Sequence, residues 1–162
     1  MRKINVTIIG AADEDETGCA AIVGSCPEFN LVGRLPGLYA PGCWSAIARS
    51  DVVLLDEAVI DHDGKEAVRM ISDCYPYVRV LLVLDRKDDR RAMEAFTMGI
   101  TGIMMRPSAV SMLRKAIPVL CSGEAWVSRD LVHAIRTEGE RGAVTESEWY
   151  SDRLLLSREK LN

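Results

Sequence analysis

The chain has 162 residues, enough for one domain with a real core plus an appendage. Twenty-four acidic against 20 basic residues leave a formal net charge of −4, so there is no global electrostatic case for nucleic-acid binding by this segment. Hydrophobic residues make up 48% and charged residues 27%, as in globular domains, and no apolar run reaches the ~18 residues that cross a bilayer. The Met1-Arg2-Lys3 start runs directly into Ile4, so no signal peptide is expected and a cytoplasmic location is. The five cysteines (19, 26, 43, 74 and 121) contain no C-x-x-C pair, which argues for reduced thiols over a disulfide framework or zinc site. Cys19, Cys26 and Cys74 fall on apparent helix faces, where a free thiol packs as a small hydrophobe. His62 and His133 lack a ligand partner at useful spacing, so no metal role is expected for either.

Short apolar runs alternate with helix-period segments over residues 4–122. Ile4 to Ile9 reads as a strand, and 14–25 as an amphipathic helix with Cys19, Ile22, Val23 and Cys26 on one side. Leu31-Val32 reads as a short strand. The breaks in Leu35-Pro36-Gly37-Leu38-Tyr39-Ala40-Pro41-Gly42 predict a shortened or irregular second helix. Val52 to Leu55 is apolar at every position, as a central parallel strand buried on both faces should be. Gly64 opens a helix with Ala67, Val68, Ile71 and Cys74 inward, stopped by Pro76. Val78 to Leu84 follows as a strand, 88–98 as a helix closed by Gly99, and Gly102 to Met105 as the last strand. Ser108 is expected to cap a helix whose apolar residues are Ala109, Met112, Leu113, Ala116, Ile117 and Leu120. This order predicts an α/β fold: a doubly wound, five-stranded parallel sheet with helices on both faces.

After Gly123 the pattern changes. Ser128 is placed to cap a short helix carrying Leu131, Val132 and Ile135, residues 137–150 read as a linker, and residues 151–162 begin another element with Leu154 to Leu156. The expected organisation is a first domain over 1–124, a helix plus linker over 125–150, and a truncated further domain from 151.

Asp56, closing the run from Asp51, is the candidate functional residue. A carboxylate at the end of a buried strand is costly unless paired or functional, and open α/β sheets place chemistry at strand carboxyl ends. The segments around it resemble a response-regulator receiver domain of the NarL/FixJ (LuxR-type helix-turn-helix) family. The resemblance rests on Asp51 to Asp56 followed by Asp63-Gly64, on Val80 to Leu84, on Glu94-Ala95-Phe96 through Gly99 and Gly102, and on Ala109 to Trp126. Leu155-Leu156-Ser157-Arg158-Glu159 is similar to the opening of that family's DNA-binding domain. It implies a flavodoxin-like receiver fold in which the aspartate after the third strand takes phosphate from a histidine kinase.

Carried over residue by residue, most of that pocket is missing. The family's two magnesium-holding acids fall on Gly10 and Ala11, its Ser or Thr on Leu84, its rotating aromatic on Ile103, and its Lys on Arg106, followed by Pro107; only Asp56 is retained. Transfer of a phosphoryl group to a carboxylate brings anions together, and a divalent cation and a lysine normally offset the repulsion. One carboxylate plus a backbone carbonyl near Ala58 holds Mg²⁺ poorly. Losing one electrostatic stabiliser commonly raises a barrier by ~3–4 kcal/mol. The expectation is therefore an atypical receiver with a vestigial phosphoacceptor, no metal and no cofactor.

Asp13, Glu14 and Asp15 are read as acids of the first helical turn, with a metal-ligand role as the alternative. Asp85 is read as a loop acid facing solvent, or leaning over the pocket, and Asp61 and Asp63 as turn residues around Gly64. For Arg106 two fates stay open: a contact to Asp56, or an extension to solvent. The functional expectation is a transcription regulator whose receiver serves dimerisation and signal input, contacting DNA through a domain beyond residue 150. Its effector is a kinase, another protein or a small molecule that the sequence does not specify, and no membrane association is expected. The homodimer surface is expected on the 88–98 and 109–121 helices, or on the latter with the first helix; Phe96, Met93 and Met112 are candidate contacts or core. The alternatives are a conventional receiver phosphorylated on Asp56 and a stand-alone scaffold. A phosphatase is disfavoured because its second acid falls on Ala58, and a dinucleotide oxidoreductase because the first loop carries four acids where pyrophosphate should bind.

Overall fold

The computed structural model describes residues 2–10, 18–129, 132–133 and 136–137. Five strands, β1 (Ile4–Ile9), β2 (Phe29–Leu35), β3 (Val52–Asp56), β4 (Arg79–Leu84) and β5 (Gly102–Met105), form one parallel sheet in the order β2-β1-β3-β4-β5. The helices are α1 (Cys19–Ser25), α2 (Cys43–Ala48), α3 (Glu57–Asp63), α4 (Lys65–Cys74), α5 (Asp89–Thr97) and α6 (Arg106–Cys121). The doubly wound sheet expected from the sequence is what forms. All five residues of β3 are buried, because helices cover it on both faces.

Alternation along the strands separates two apolar layers. Val53, Leu55, Val80, Leu82, Leu84 and Ile103 face the side of α2 to α5, while Val52, Leu54, Leu81 and Met104 face α1 and α6. The second layer closes with Leu113, Ala116, Ile117 and Leu120 of α6 against Val23 of α1. Arg114 of α6 adds a bidentate pair to Glu28, at 3.1 and 3.2 Å.

Several local expectations are corrected. Helix α1 starts at Cys19 behind Gly18, five residues later than the reading from 14, and its first turn holds no acid; Asp13, Glu14 and Asp15 lie outside the described residues. Strand β2 is seven residues long rather than two, because an edge strand tolerates Asn30 and Arg34 facing water; its register against β1 shifts between Val6 and Thr7. The second helix is short, as expected, and starts only after Gly42 turns the chain with φ 82°. Helix α3 was not foreseen: Asp56 caps it by accepting the Ala58 N–H at 2.9 Å. Asp61 and Asp63 are therefore helical residues, and the turn is confined to Gly64 at φ 88°. Helix α6 begins at Arg106, with Pro107 in its first turn, so Ser108 is not its cap. Cys74 is exposed, whereas Cys19 and Cys26 are buried as expected.

Packing continues past α6. Trp126 bridges to Gly102: the Ile103 N–H donates to the Trp126 carbonyl at 2.8 Å, and the Trp126 N–H donates to Thr101 at 3.0 Å. Ala125, Trp126, Val127 and Val132 are buried. Leu131, Ile135 and the expected linker and final element over 138–162 lie outside the described residues. No helix among the described residues is long and apolar enough to cross a membrane.

Candidate functional site

The strand order reverses between β1 and β3, and the crevice at their carboxyl ends is where a doubly wound sheet places a ligand. Three chain segments meet there: Gly10 after β1, Asp56 at the end of β3, and Arg106 at the start of α6. With Cys19, Leu54 and Val83 they line a small cleft. Asp56 is only 8% exposed, and both its carboxylate oxygens are engaged. Oδ1 accepts the Ala58 N–H at 2.9 Å, and Oδ2 accepts a short hydrogen bond from Arg106 Nη2. Of the two fates left open for Arg106, the contact is the one seen.

Arg106 also donates from Nε to Asp85 Oδ1 at 2.8 Å. A cation in the first turn of a helix opposes the helix dipole, and the two carboxylates offset that. Burial pulls the guanidinium's pKa down, but the Asp85 and Asp56 carboxylates outweigh it and hold it above its ordinary value. In return the hydrogen bond from Arg106 holds the Asp85 carboxyl below its ordinary value. Asp85 is thus both a solvent-facing acid and a partner of the pocket arginine, with a side chain 61% exposed.

The ion pairs extend beyond the residues singled out in the sequence. The Asp85 N–H donates to Glu57 Oε1 at 2.9 Å, and Arg91 Nη1 donates to Glu57 Oε2 at 3.1 Å. Arg91 then grips Asp61 bidentately, at 2.8 and 3.1 Å. Its guanidinium is held above its ordinary pKa, foremost by the Asp61 hydrogen bond. Glu57 and Arg91 carried no signal in the sequence, since 34 residues separate them and only the fold brings them together.

Gly10 packs directly against Asp56. Its φ is 128°, and a Cβ built on it would lie 2.4 Å from the Asp56 Cβ. The Gly10 N–H donates to the Leu35 carbonyl at 2.8 Å, so the backbone is pinned against Asp56. Leu84 and Ile103, at 0% and 4% exposure, belong to the core and do not line the cleft. Ala11 lies outside the described residues. The resemblance implies Mg²⁺, which needs several free oxygens in near-octahedral array. Among the described residues the site offers Asp56 alone, already bonded on both oxygens, and no cluster of three metal-ligating side chains. These residues do not fit the ion.

A second carboxylate fixes the loop ahead of α2. Asp63, with its side chain 5% exposed, accepts the Leu38 N–H at 2.7 Å and lies 2.9 Å from His62 Nδ1. Burial raises its pKa, but the hydrogen bonds from His62 and Leu38 prevail and leave it below its ordinary value. A carboxyl depressed in the folded state stabilises fully above its unfolded pKa, and that stability is lost as pH falls through the folded value. Asp63→Asn is therefore expected to cost about 1–2 kcal/mol at neutral pH. The gap to wild type should narrow below about pH 4. Thermal melts of both proteins across that range check this; a gap independent of pH contradicts it.

A five-stranded parallel sheet in the order 2-1-3-4-5 with an acid closing its third strand defines a receiver fold. No family model matches the chain. It is 26% identical over 161 residues to the transcriptional regulatory protein DegU of Brevibacillus brevis, covering 94% of this chain and 64% of that protein. It is 21% identical over 145 residues to the DNA-binding transcriptional activator DevR/DosR of Mycobacterium tuberculosis, covering 90% and 66%. A two-component response regulator of the LuxR family from Aurantimonas sp. SI85-9A1 superposes with a TM-score of 0.71 at 20% identity, over 85% of this chain and 98% of that one. The chain spans less than two thirds of either curated relative. The chain is thus similar in sequence to transcription regulators and in fold to a LuxR-family response regulator.

Proposed function

We propose that this chain is the receiver part of a two-component-type transcription regulator that works without magnesium-dependent phosphorylation of Asp56. The observation that carries this reading is the Arg106 guanidinium bound to Asp56, with the Gly10 backbone closed against the same side chain. An incoming phosphoryl donor would have to displace that guanidinium, and among the described residues no metal-holding cluster stands by to neutralise its charge. In this reading Asp56 is a vestigial acceptor and the chain has no enzymatic activity of its own.

The regulator would sit in the cytoplasm and contact DNA through a domain beyond residue 150, with 1–124 as the receiver and 125–150 leading to it. Both curated relatives are longer than this chain, and one is named as DNA-binding. The receiver's contribution would be homodimerisation through α5 and α6, or α6 and α1, matching paired half-sites on DNA. Phe96, 4% exposed, packs in the core, whereas Met93 and Met112 are partly accessible.

Incubation with acetyl phosphate and Mg²⁺, followed by intact-mass measurement, tests the reading. No phosphorylated species should appear. A protein carrying one phosphoryl group on Asp56 in good yield would establish conventional signalling instead.

A further inference from the structure

The ion pairs at the carboxyl end of the sheet form one connected chain. It runs from Asp56 on β3 to Arg106 on α6, to Asp85 in the loop before α5, through the Asp85 N–H to Glu57 on α3, and on through Arg91 of α5 to Asp61. Every helix around this end of the sheet except α1, α2 and α4 contributes a member. The loop between β4 and α5, residues 85–88, is held at both ends. Its first residue is bound by Arg106 and Glu57, and its last, Asp88, accepts the Arg91 N–H at 3.1 Å.

We propose that Arg106 is a resident cation that clamps the β4–α5 loop, and with it the start of α5, in one fixed position against α3 and α6. The inference rests on the proposed loss of metal chemistry at Asp56, and it adds what the arginine does in the metal's place. Exposed ion pairs taken singly hold little, since solvent screens them and side-chain entropy opposes them. These pairs are not single. Asp85 and Asp61 are 61% and 59% exposed, but their partners Arg106 and Arg91 are 28% and 29% exposed. Each guanidinium carries a second, better-buried acid: Asp56 at 9% for Arg106 and Glu57 at 18% for Arg91. A planar, permanently charged fork that bridges two acids holds both in a fixed geometry, whereas the donors of a lysine rotate on a flexible stem. The Gly10 backbone stops Asp56 from retreating, so the buried end of the chain is anchored. The surface of α5 is thereby presented in one arrangement at all times.

Hydrogen–deuterium exchange on the full chain tests the clamp, comparing wild type with Asp85→Asn and Arg106→Met. Arg114→Met serves as a control, because Arg114 pairs with Glu28 on the opposite edge of the domain. Peptides spanning residues 85–92 should lose protection several-fold in Asp85→Asn, as a local opening that leaves β1 and β2 unchanged, and about tenfold in Arg106→Met over and above any loss in β1 and β2. Arg114→Met should leave residues 85–92 as in wild type. Unchanged exchange of residues 85–92 in both pocket variants overturns the clamp. If Arg106→Met loses its fold, Asp85→Asn alone decides, since its exposed carboxylate is not needed for folding. The two readings fail separately: phosphoryl incorporation would overturn the account of Asp56, whereas unchanged exchange would overturn only the clamp.

Discussion

Gly10→Asp, which places an acid at the end of β1, is expected to destabilise the domain rather than create a metal site. A side chain at φ 128° is strained, by about 1–3 kcal/mol for such backbone positions. Its Cβ would also enter the space of the Asp56 Cβ, 2.4 Å away, where neither partner yields easily. Asp56 is held by Ala58 and Arg106, and the Gly10 amide by Leu35. Overpacking of this kind costs a further ~1–3 kcal/mol. A total near 3 kcal/mol, or a fall in melting temperature of about 10 °C, is the expected result. Gly10→Ala should show most of it, which would separate the backbone effect from charge. Calorimetric titration of Gly10→Asp with Mg²⁺ should show no more binding than wild type. A variant that melts like wild type and binds the ion would mean that the backbone at Gly10 moves freely away from Asp56.

Arg106→Met carries the second large effect. It removes the cation from a buried carboxylate and leaves Asp56 with one backbone donor, a loss worth about 3 kcal/mol for a pair this enclosed. Asp56→Asn alone should cost less, about 1 kcal/mol, because Arg106 keeps Asp85 and the amide still accepts from Ala58. The double variant should be more stable than Arg106→Met alone, giving a coupling of about 2 kcal/mol between the two positions. Urea unfolding of the four proteins measures it. An Arg106→Met stability within about 0.5 kcal/mol of wild type would show that the pair contributes nothing.

The sheet was legible in the sequence because its inner strands are apolar at consecutive positions, a pattern few other arrangements produce. The run ending at Asp56 showed both the strand and the residue that breaks it. Helix α3 was hidden because Glu57 to Asp63 carries three acids and a histidine, which read as turn composition; only the cap made by Asp56 turns that segment helical. Ser108 looked like a cap because such residues favour that position, but Pro107 fits the first turn and moved the start back to Arg106. In the pocket, the type of each residue was legible and its surroundings were not. Gly10 read as an absent acid, and nothing in one sequence shows that its backbone lies against Asp56. A bond between Arg106 and Asp56 was one of two options that charge alone left open. The arrangement of Glu57, Arg91 and Asp61 needed two separate helices, α3 and α5, to be in place.

The bridge from Trp126 to β5 bears on where this domain tolerates being cut. A sheet has two borders, and an uncovered one is a template on which strands from other molecules can grow. Ending the chain after Glu124 would strip the cover from β5, vacate the seats of Ala125, Trp126 and Val127, and leave a sticky rim opposite the one at β2. Such a fragment would keep every residue of the cleft and still be prone to precipitate.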